Sequence, residues 1–420
     1  MLTGLLPPQH GVRGNGPFRL RPDAPALAEA LKKRGYRTSA VVASVVLDRA
    51  TGLDRGFETY DDNQRRGPRR AFQYRERGAS QIAEAAVAVL DRLSGPFFLW
   101  VHFYDPHVPW VAPEGSGYDA EITFADAALG RVLEAARARA GNNLVVVATS
   151  DHGESLGEHG ESQHGYTLHR GVLRVPLLIS GPGIPRGRTV DRTVGLVDLA
   201  PTLAELAGVD LEGASGRSLR RFWEGGAPPP DADDADLWEE SLHPLFDSGW
   251  APLRGLLNRR WHFVAAPRPE LYDRAADVED RVDVARREAS TVAALAKRLA
   301  AWGASMGDVE QPEITPAVTA EDKERRDKLA SLGYAAQPVS PAPTSGRLDP
   351  KDGLPGFRAV EEAETLIDRG DGRGAGGCAI GRDRGGCGAV GRGLCRWPQH
   401  GIALCPSSRR WGRGRKGCGL

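Results

Sequence analysis

The chemistry-bearing residues of this chain gather behind one apolar run. Leu144 to Thr149 is followed by Ser150-Asp151-His152-Gly153-Glu154, with His159 further on and His164 thirteen residues after Asp151. An adjacent carboxylate and imidazole offer a metal ion one hard and one borderline ligand, and Gly153 permits a sharp turn there. A single Asp-His pair is more often a hydrogen-bonded loop; several such groups packed after a buried strand reverse that expectation. A second stretch, Tyr104-Asp105-Pro106-His107-Val108-Pro109, holds His107 between prolines, which lowers the entropy cost of presenting it. A bound anion would gain a charge-assisted hydrogen bond from that imidazole. Taken alone, the tetrapeptide Pro106-His107-Val108-Pro109 is a weak signal and is better explained as a rigid turn. The third stretch, Met1 to Asn15, is a loop tied down by Gly and Pro.

The elements that must position these groups alternate along the chain. Helical spacing covers 24–34, 79–93, 122–140 and 196–207; apolar strands are expected at Thr38 to Leu47, Phe97 to Phe103, Leu144 to Thr149 and Val175 to Ser180. Strands apolar on both faces, alternating with helices, predict an α/β fold with a mostly parallel sheet flanked by helices. Ligands then sit beyond the carboxyl ends of the strands, where the first two stretches begin. Residues 225–237 read as a linker, Leu253 to Leu257 and Trp261 to Ala265 as a hairpin, and 284–302, 320–332 and 356–369 as helices. A Pro-rich linker starts near 336, and from Asp371 the chain is Gly- and Arg-rich, with ten Lys or Arg against two Asp and no apolar period, so it is expected to be disordered.

Composition narrows the class. Of 420 residues, 40% are hydrophobic and 26% charged, with Lys+Arg and Asp+Glu balanced at 55 each, so charge gives no reason to expect nucleic acid as a partner. No run approaches the roughly 18 apolar residues of a membrane span. The N-terminus does not read as a secretory signal, and localisation stays open. All five cysteines lie between Cys378 and Cys418, so the body is expected to fold without disulfides or thiolate metal sites.

Together, in this order, the three stretches resemble the sulfatase family of the alkaline phosphatase superfamily. Leu2-Thr3-Gly4 through His10-Gly11-Val12 is similar to the segment just after the family's nucleophile motif, and Ser150 to His159 resembles its metal loop. Arg174 to Ile179, Val197-Asp198-Leu199-Ala200-Pro201-Thr202-Leu203 and Glu270-Leu271-Tyr272-Asp273 resemble the later strand, helix and C-terminal subdomain. The resemblance spans roughly 1–335. It implies an alkaline-phosphatase-like core over 1–224, a small C-terminal α+β subdomain over 238–335, a linker and short helix over 336–370, and a tail over 371–420. Asp151 and His152 would be two ligands of one divalent metal ion, Ca²⁺ by family, with Mn²⁺, Mg²⁺ or Zn²⁺ as alternatives. His107 and His164 would contact the transferred group, Asn15 the substrate, and His159 would support the site from behind. The substrate would be a small sulfate or phosphate ester.

At one point the sequence departs from the family. The sulfatase nucleophile is a formylglycine made from Cys-x-Pro-x-Arg just before Leu-Thr-Gly, with an Asp pair further upstream, yet no Cys occurs before Cys378. The expectation is therefore an N-terminally truncated chain whose missing piece includes the first strand. Leu332-Gly333-Tyr334 and Asp349-Pro350-Lys351-Asp352 resemble sulfatase-like proteins that continue into tetratricopeptide repeats, and the Cys-containing tail reads as a frameshift product or a genuine basic tail. The functional reading is metal-dependent cleavage of sulfate esters. The alternatives are phosphodiester, phosphonate or phosphate monoester hydrolysis in the same superfamily, or an inactive fragment.

Overall fold

The chain opens with a single turn, α1 (Pro7–His10), and a helix, α2 (Leu27–Lys33), that lead into β1 (Arg37–Val41). In this computed structural model, residues 1–15, 18–63, 76–108, 110, 112–224, 235–308 and 346–368 are described. β1 lies between β2 (Thr59–Asp61) and β3 (Phe97–Val101), both parallel to it, with Ser39 opposite Thr59 on one side and Leu99 on the other. Side chains alternate across a strand, and that alternation along β3 sets the layering. Phe97, Leu99 and Val101 pack with Ile82, Ala86 and Leu90 of α3 (Ala79–Leu90) and Val132 of α4 (Tyr118–Ala140). Phe98 faces the other way, onto Leu27 and Leu31 of α2.

Beyond α4 the chain forms β4 (Val146–Thr149), a short helix α5 (Arg170–Leu173) and β5 (Leu177–Ser180). β5 runs antiparallel to β4, with Val147 opposite Ile179. α6 (Leu199–Ala207) joins α2 on the second face through Ala200 and Ala204. The α/β layer thus holds its strands as a parallel trio and an antiparallel pair, and among the described residues β3 and β4 each bond to a single neighbouring strand.

The remainder is a meander. β6 (Leu237–Ser241), β7 (Leu253–Leu257), β8 (Trp261–Ala265) and β9 (Glu270–Asp273) form an antiparallel sheet in chain order, with helix α7 (His243–Ser248) between β6 and β7. Helix α8 (Ala289–Ser305) buries Leu295 and Leu299 against Trp238, Leu256, Phe263 and Leu271. All three sheets belong to one unit, Met1–Pro355; Gly356–Leu420 forms a second. The last described helix is α9 (Pro350–Asp368).

Several expected boundaries shift for local reasons. The strand expected from Thr38 to Leu47 ends at Val41, because Ser44 turns the chain into a 3-10 turn by accepting from Val46 N. α4 begins at Tyr118 rather than 122, with Asp119 and Glu121 in its first turn, where the positive end of the helix dipole favours carboxylates. α9 begins at Pro350 rather than 356, because Asp349 Oδ1 accepts from Lys351 N. A tetratricopeptide repeat is a helix–turn–helix of about 34 residues; the described part of that region is one helix, so no repeat is shown. The helix expected at 320–332, the linker from 336, the tail from 371 and most of the 225–237 linker lie outside the described residues.

Candidate active site

The carboxyl ends of β3 and β4 carry the site. Beyond Val101, His102 stays tied to the sheet: its N–H donates to Val41 O at 2.9 Å and its Nδ1 accepts from Ala43 N at 3.4 Å. Five residues on stands His107. Its backbone N–H donates to Glu121 Oε2 of α4 at 3.1 Å, and its Nδ1–H donates to Val108 O at 2.7 Å. The Tyr104 ring stacks on it at 4.3 Å between centroids, with the hydroxyl 3.4 Å from Nε2.

After β4, Ser150 Oγ donates to His152 O at 2.6 Å, and Gly153 N donates to Val172 O at 2.8 Å, which docks the loop on α5. A Cβ at Gly153 would meet Gly171 O at 2.1 Å, and its φ is not left-handed. The glycine expected for a sharp turn therefore serves a close backbone approach instead. Two imidazoles meet His164 here: His152 stacks on it at 4.0 Å, and His107 meets it edge-on at 5.0 Å. His164 Nδ1–H donates to Glu154 Oε1 at 3.0 Å, and that carboxylate side chain is 4% exposed. Three imidazoles from two strand ends thus converge beside Asp151.

Electrostatics differ among these groups. Burial holds His107 below the ordinary imidazole value, although its bond to Val108 O opposes this. His102 is lowered too, chiefly by burial. Burial acts on Asp151 in the raising direction, but the imidazoles of His152 and His102 and nearby backbone amides overturn it, so the carboxyl stays below its usual range. An ionised carboxylate beside an imidazole is the state that a cation requires.

The donor set was tested against a metal ion. Asp151 Oδ2 and His152 Nε2 stand 3.9 Å apart, with side chains 52% and 42% exposed, so the pair fits two positions on one ion. Among the described residues no group of three or more His, Cys, Asp or Glu gathers as a metal site. The fit is therefore partial: a closed zinc site needs four donors and a calcium site about 6–8.

Two expected residues are not bonded to this cluster among the described residues. Asn15 is exposed, next to Gly14, and among the described residues no hydrogen bond joins it to the histidines. His159 stacks on His169 at 3.7 Å and 9°, beside the antiparallel sheet, so the structure gives it a different partner from the supporting role expected of it. Sequence reasoning passed over His102, Tyr104, Glu121 and Glu154. For His102 the signal was its position at a strand end; for Glu154 it was its place inside the loop already chosen.

A family model for sulfatases matches residues 1–209. The chain belongs to the sulfatase family. It is 32% identical to the choline-sulfatase of Rhizobium meliloti (strain 1021) over 164 residues, which is 38% of this chain and 31% of that protein. It is 29% identical over 218 residues to arylsulfatase K of Xenopus laevis, covering 50% and 39%. The matched region thus spans about a third to two-fifths of these relatives. Among solved structures, the phosphonate monoester hydrolase SpPMH from Silicibacter pomeroyi superposes with a TM-score of 0.57 at 19% identity, over 76% of this chain and 87% of that one. The sulfatase fold, an alkaline-phosphatase-like α/β architecture, accounts for both the strand-end site and the appended antiparallel sheet. Family membership implies a divalent metal, and the sulfatase loop Ser150 to His159 is where its two candidate ligands stand.

Proposed function

We propose that the histidine cluster of this sulfatase-family chain binds the sulfate group of a small sulfate ester for hydrolysis by in-line attack at sulfur, the nucleophile being a group that none of these residues supplies. One observation carries this reading: His107, His152 and His164 converge within 4.0–5.0 Å between ring centroids beside Asp151. With an anion bound, which favours the imidazolium form, His107 and His164 would donate from Nε2 to the non-bridging oxygens and offset the charge that develops on them. Glu154 fixes His164 through Nδ1, which leaves Nε2 as the atom that meets the anion. Asp151 and His152 would hold the metal ion, Ca²⁺ in this reading, and a bound ion would polarise a sulfate oxygen as a Lewis acid. Asn15 would reach the substrate from the rim. A solved neighbour, BT4656, is seen in complex with its substrate D-glucosamine-2-N,6-O-disulfate, at a TM-score of 0.60 and 17% identity, which suits a small sulfated substrate here.

Calorimetry on the full chain tests the site. Inorganic sulfate and calcium should both bind; Asp151→Asn should weaken calcium by at least about 10-fold, and His164→Ala should do the same to sulfate. Wild-type protein that binds neither would end this proposal. The second reading, phosphate or phosphonate monoester hydrolysis, rests on the likeness to SpPMH and predicts tighter binding of phenylphosphonate than of phenyl sulfate.

A further inference from the structure

The loop between Glu154 and His164 is anchored at the two ends of α5. At the loop's start Gly153 N donates to Val172 O, a backbone bond with nothing to titrate. At its tip the anchor is an imidazole. The His159 ring lies flat on that of His169, the residue just before α5, at 3.7 Å between centroids and 9° between planes. Its Nε2–H donates to Glu279 O at 3.4 Å. His169 is the fixed partner, buried, with Nε2–H donating to Glu270 Oε2 of β9 at 3.2 Å. This closed arrangement carries two costs. His159 holds a left-handed backbone, φ 52 and ψ 18, which a residue with a Cβ adopts only under compensation from its surroundings. His169 Nδ1 is buried with no hydrogen-bond partner, a penalty that hydration on opening would relieve. The stack offsets both, so the loop tip is held by one ring that is itself open to solvent.

The groups around His159 decide how it responds to acid. Burial of its stacked side and then the His169 imidazole hold it below the ordinary value of 6.5; Glu279 O, Asp280 and Glu270 act the other way and do not prevail. Each of those carboxylates is already engaged. Asp280 accepts from His262 and Arg170 N, Glu270 from His169, Tyr272 and Lys351, and the Glu279 carboxylate pairs with Arg170 at 3.0 Å. On the loop itself Glu158 accepts from Leu156 N and Ser155 Oγ, and Glu161 from Tyr166 N and Thr167 Oγ1. A proton added to His159 thus lies against a second imidazole, beside carboxylates committed to other donors.

We propose that the His159–His169 stack is an acid-released latch, which holds the tip of the site loop beside the antiparallel sheet while His159 is uncharged and frees it once His159 takes a proton. Because folded His159 titrates below 6.5, the latch is fully closed above that pH and weakens as pH falls below it. Its release loosens the segment that Glu154 and His164 bracket. The latch does not depend on which anion the site takes.

Hydrogen exchange read by mass spectrometry on the full chain tests this, without ligand and with rates corrected for the intrinsic effect of pH. The readout is the loop peptide carrying Ser155 N and Gly157 N, which donate to Gln163 O and Glu161 O. Its protection should fall at least about 5-fold from about pH 7.5 to about pH 5, while that of β1 changes by less than about 2-fold. His159→Phe keeps a stacking ring that takes no proton and should hold the loop protected at both pH values. His159→Ala removes the ring and should leave the loop loose at both. Equal wild-type protection at the two pH values would overturn the latch. A fall that persists in His159→Phe would also overturn it, by assigning the change to another group. A parallel fall in β1 would mean general acid unfolding rather than release of one loop, and would count against the proposal in the same way.

Discussion

At the residue scale, orientation decides what the histidines can do. His164 is placed by Glu154, a buried carboxylate that the sequence motif contains but whose role it does not reveal, because the bond spans ten residues across a loop. Removing that carboxylate has two opposing effects on anion binding: it deletes a repulsive charge and it frees the ring. Two variants separate them. Glu154→Gln keeps an acceptor for Nδ1–H and loses the charge, so sulfate should bind at least as tightly as in the wild type. Glu154→Ala loses the acceptor as well and should bind sulfate roughly 10-fold more weakly than Glu154→Gln, in line with the usual effect of a ligand's supporting partner. Equal affinities in the two variants, measured by calorimetry, would show that Glu154 does not orient His164.

At the element scale, the most specific motif after the metal loop turns out to be architectural. In Val197-Asp198-Leu199-Ala200-Pro201-Thr202, Asp198 is buried at the start of α6 and accepts from Gly195 N at 3.1 Å and Arg217 N at 2.7 Å. Thr202 Oγ1 donates to Asp198 O at 2.6 Å and accepts from Leu219 N at 2.8 Å. These bonds pin two loops to the head of α6, whose Ala200 and Ala204 then close the second face of the sheet. Asp198→Ala leaves two backbone donors without their acceptor. It should cost roughly 1–3 kcal/mol per donor in urea unfolding, while calcium and sulfate affinity of the folded protein stay unchanged. A stability equal to wild type would contradict this account of the motif.

At the scale of the whole molecule, a buried charge network joins the site-bearing loops to the antiparallel sheet. His262 of β8 lies 3.1 Å from Glu239 and 3.0 Å from Asp280, and Asp280 also accepts from Arg170 N at the start of α5. Burial opposes the charged imidazole, but the two carboxylates overcome it and raise His262 to about 10. Since that lies above the ordinary value of 6.5, the network's contribution to stability is complete below about pH 6.5, declines as pH rises, and is gone once pH passes about 10. Urea unfolding of the wild type should show this downward slope. His262→Gln should flatten it and, by stranding two buried carboxylates, lower stability at pH 6 by about 3–5 kcal/mol. A slope that persists in His262→Gln would assign the pH dependence to another group. The same region holds Glu270 down to about 2: burial pushes it up, but bonds from His169, Lys351 and Tyr272 prevail.

The sequence by itself determined the family, the alternation of strands and helices, and the loop where Asp151, His152 and His164 stand, because those depend on local pattern and on short spacings. The hairpin of β7 and β8 was legible for the same reason, with apolar runs flanking Asn258-Arg259-Arg260. Tertiary structure alone decided the rest. That His107 meets His164 across 57 residues and that β5 turns antiparallel to β4 are contacts between segments remote in sequence, and that His159 stacks on His169, ten residues on, depends on how the loop between them folds. Residue types at single positions carry no signal of such meetings; only packing two layers of helix onto one sheet brings the segments within hydrogen-bond reach. The strand-end histidines with which the sequence began are thus a candidate site whose imidazoles only the folded chain brings together.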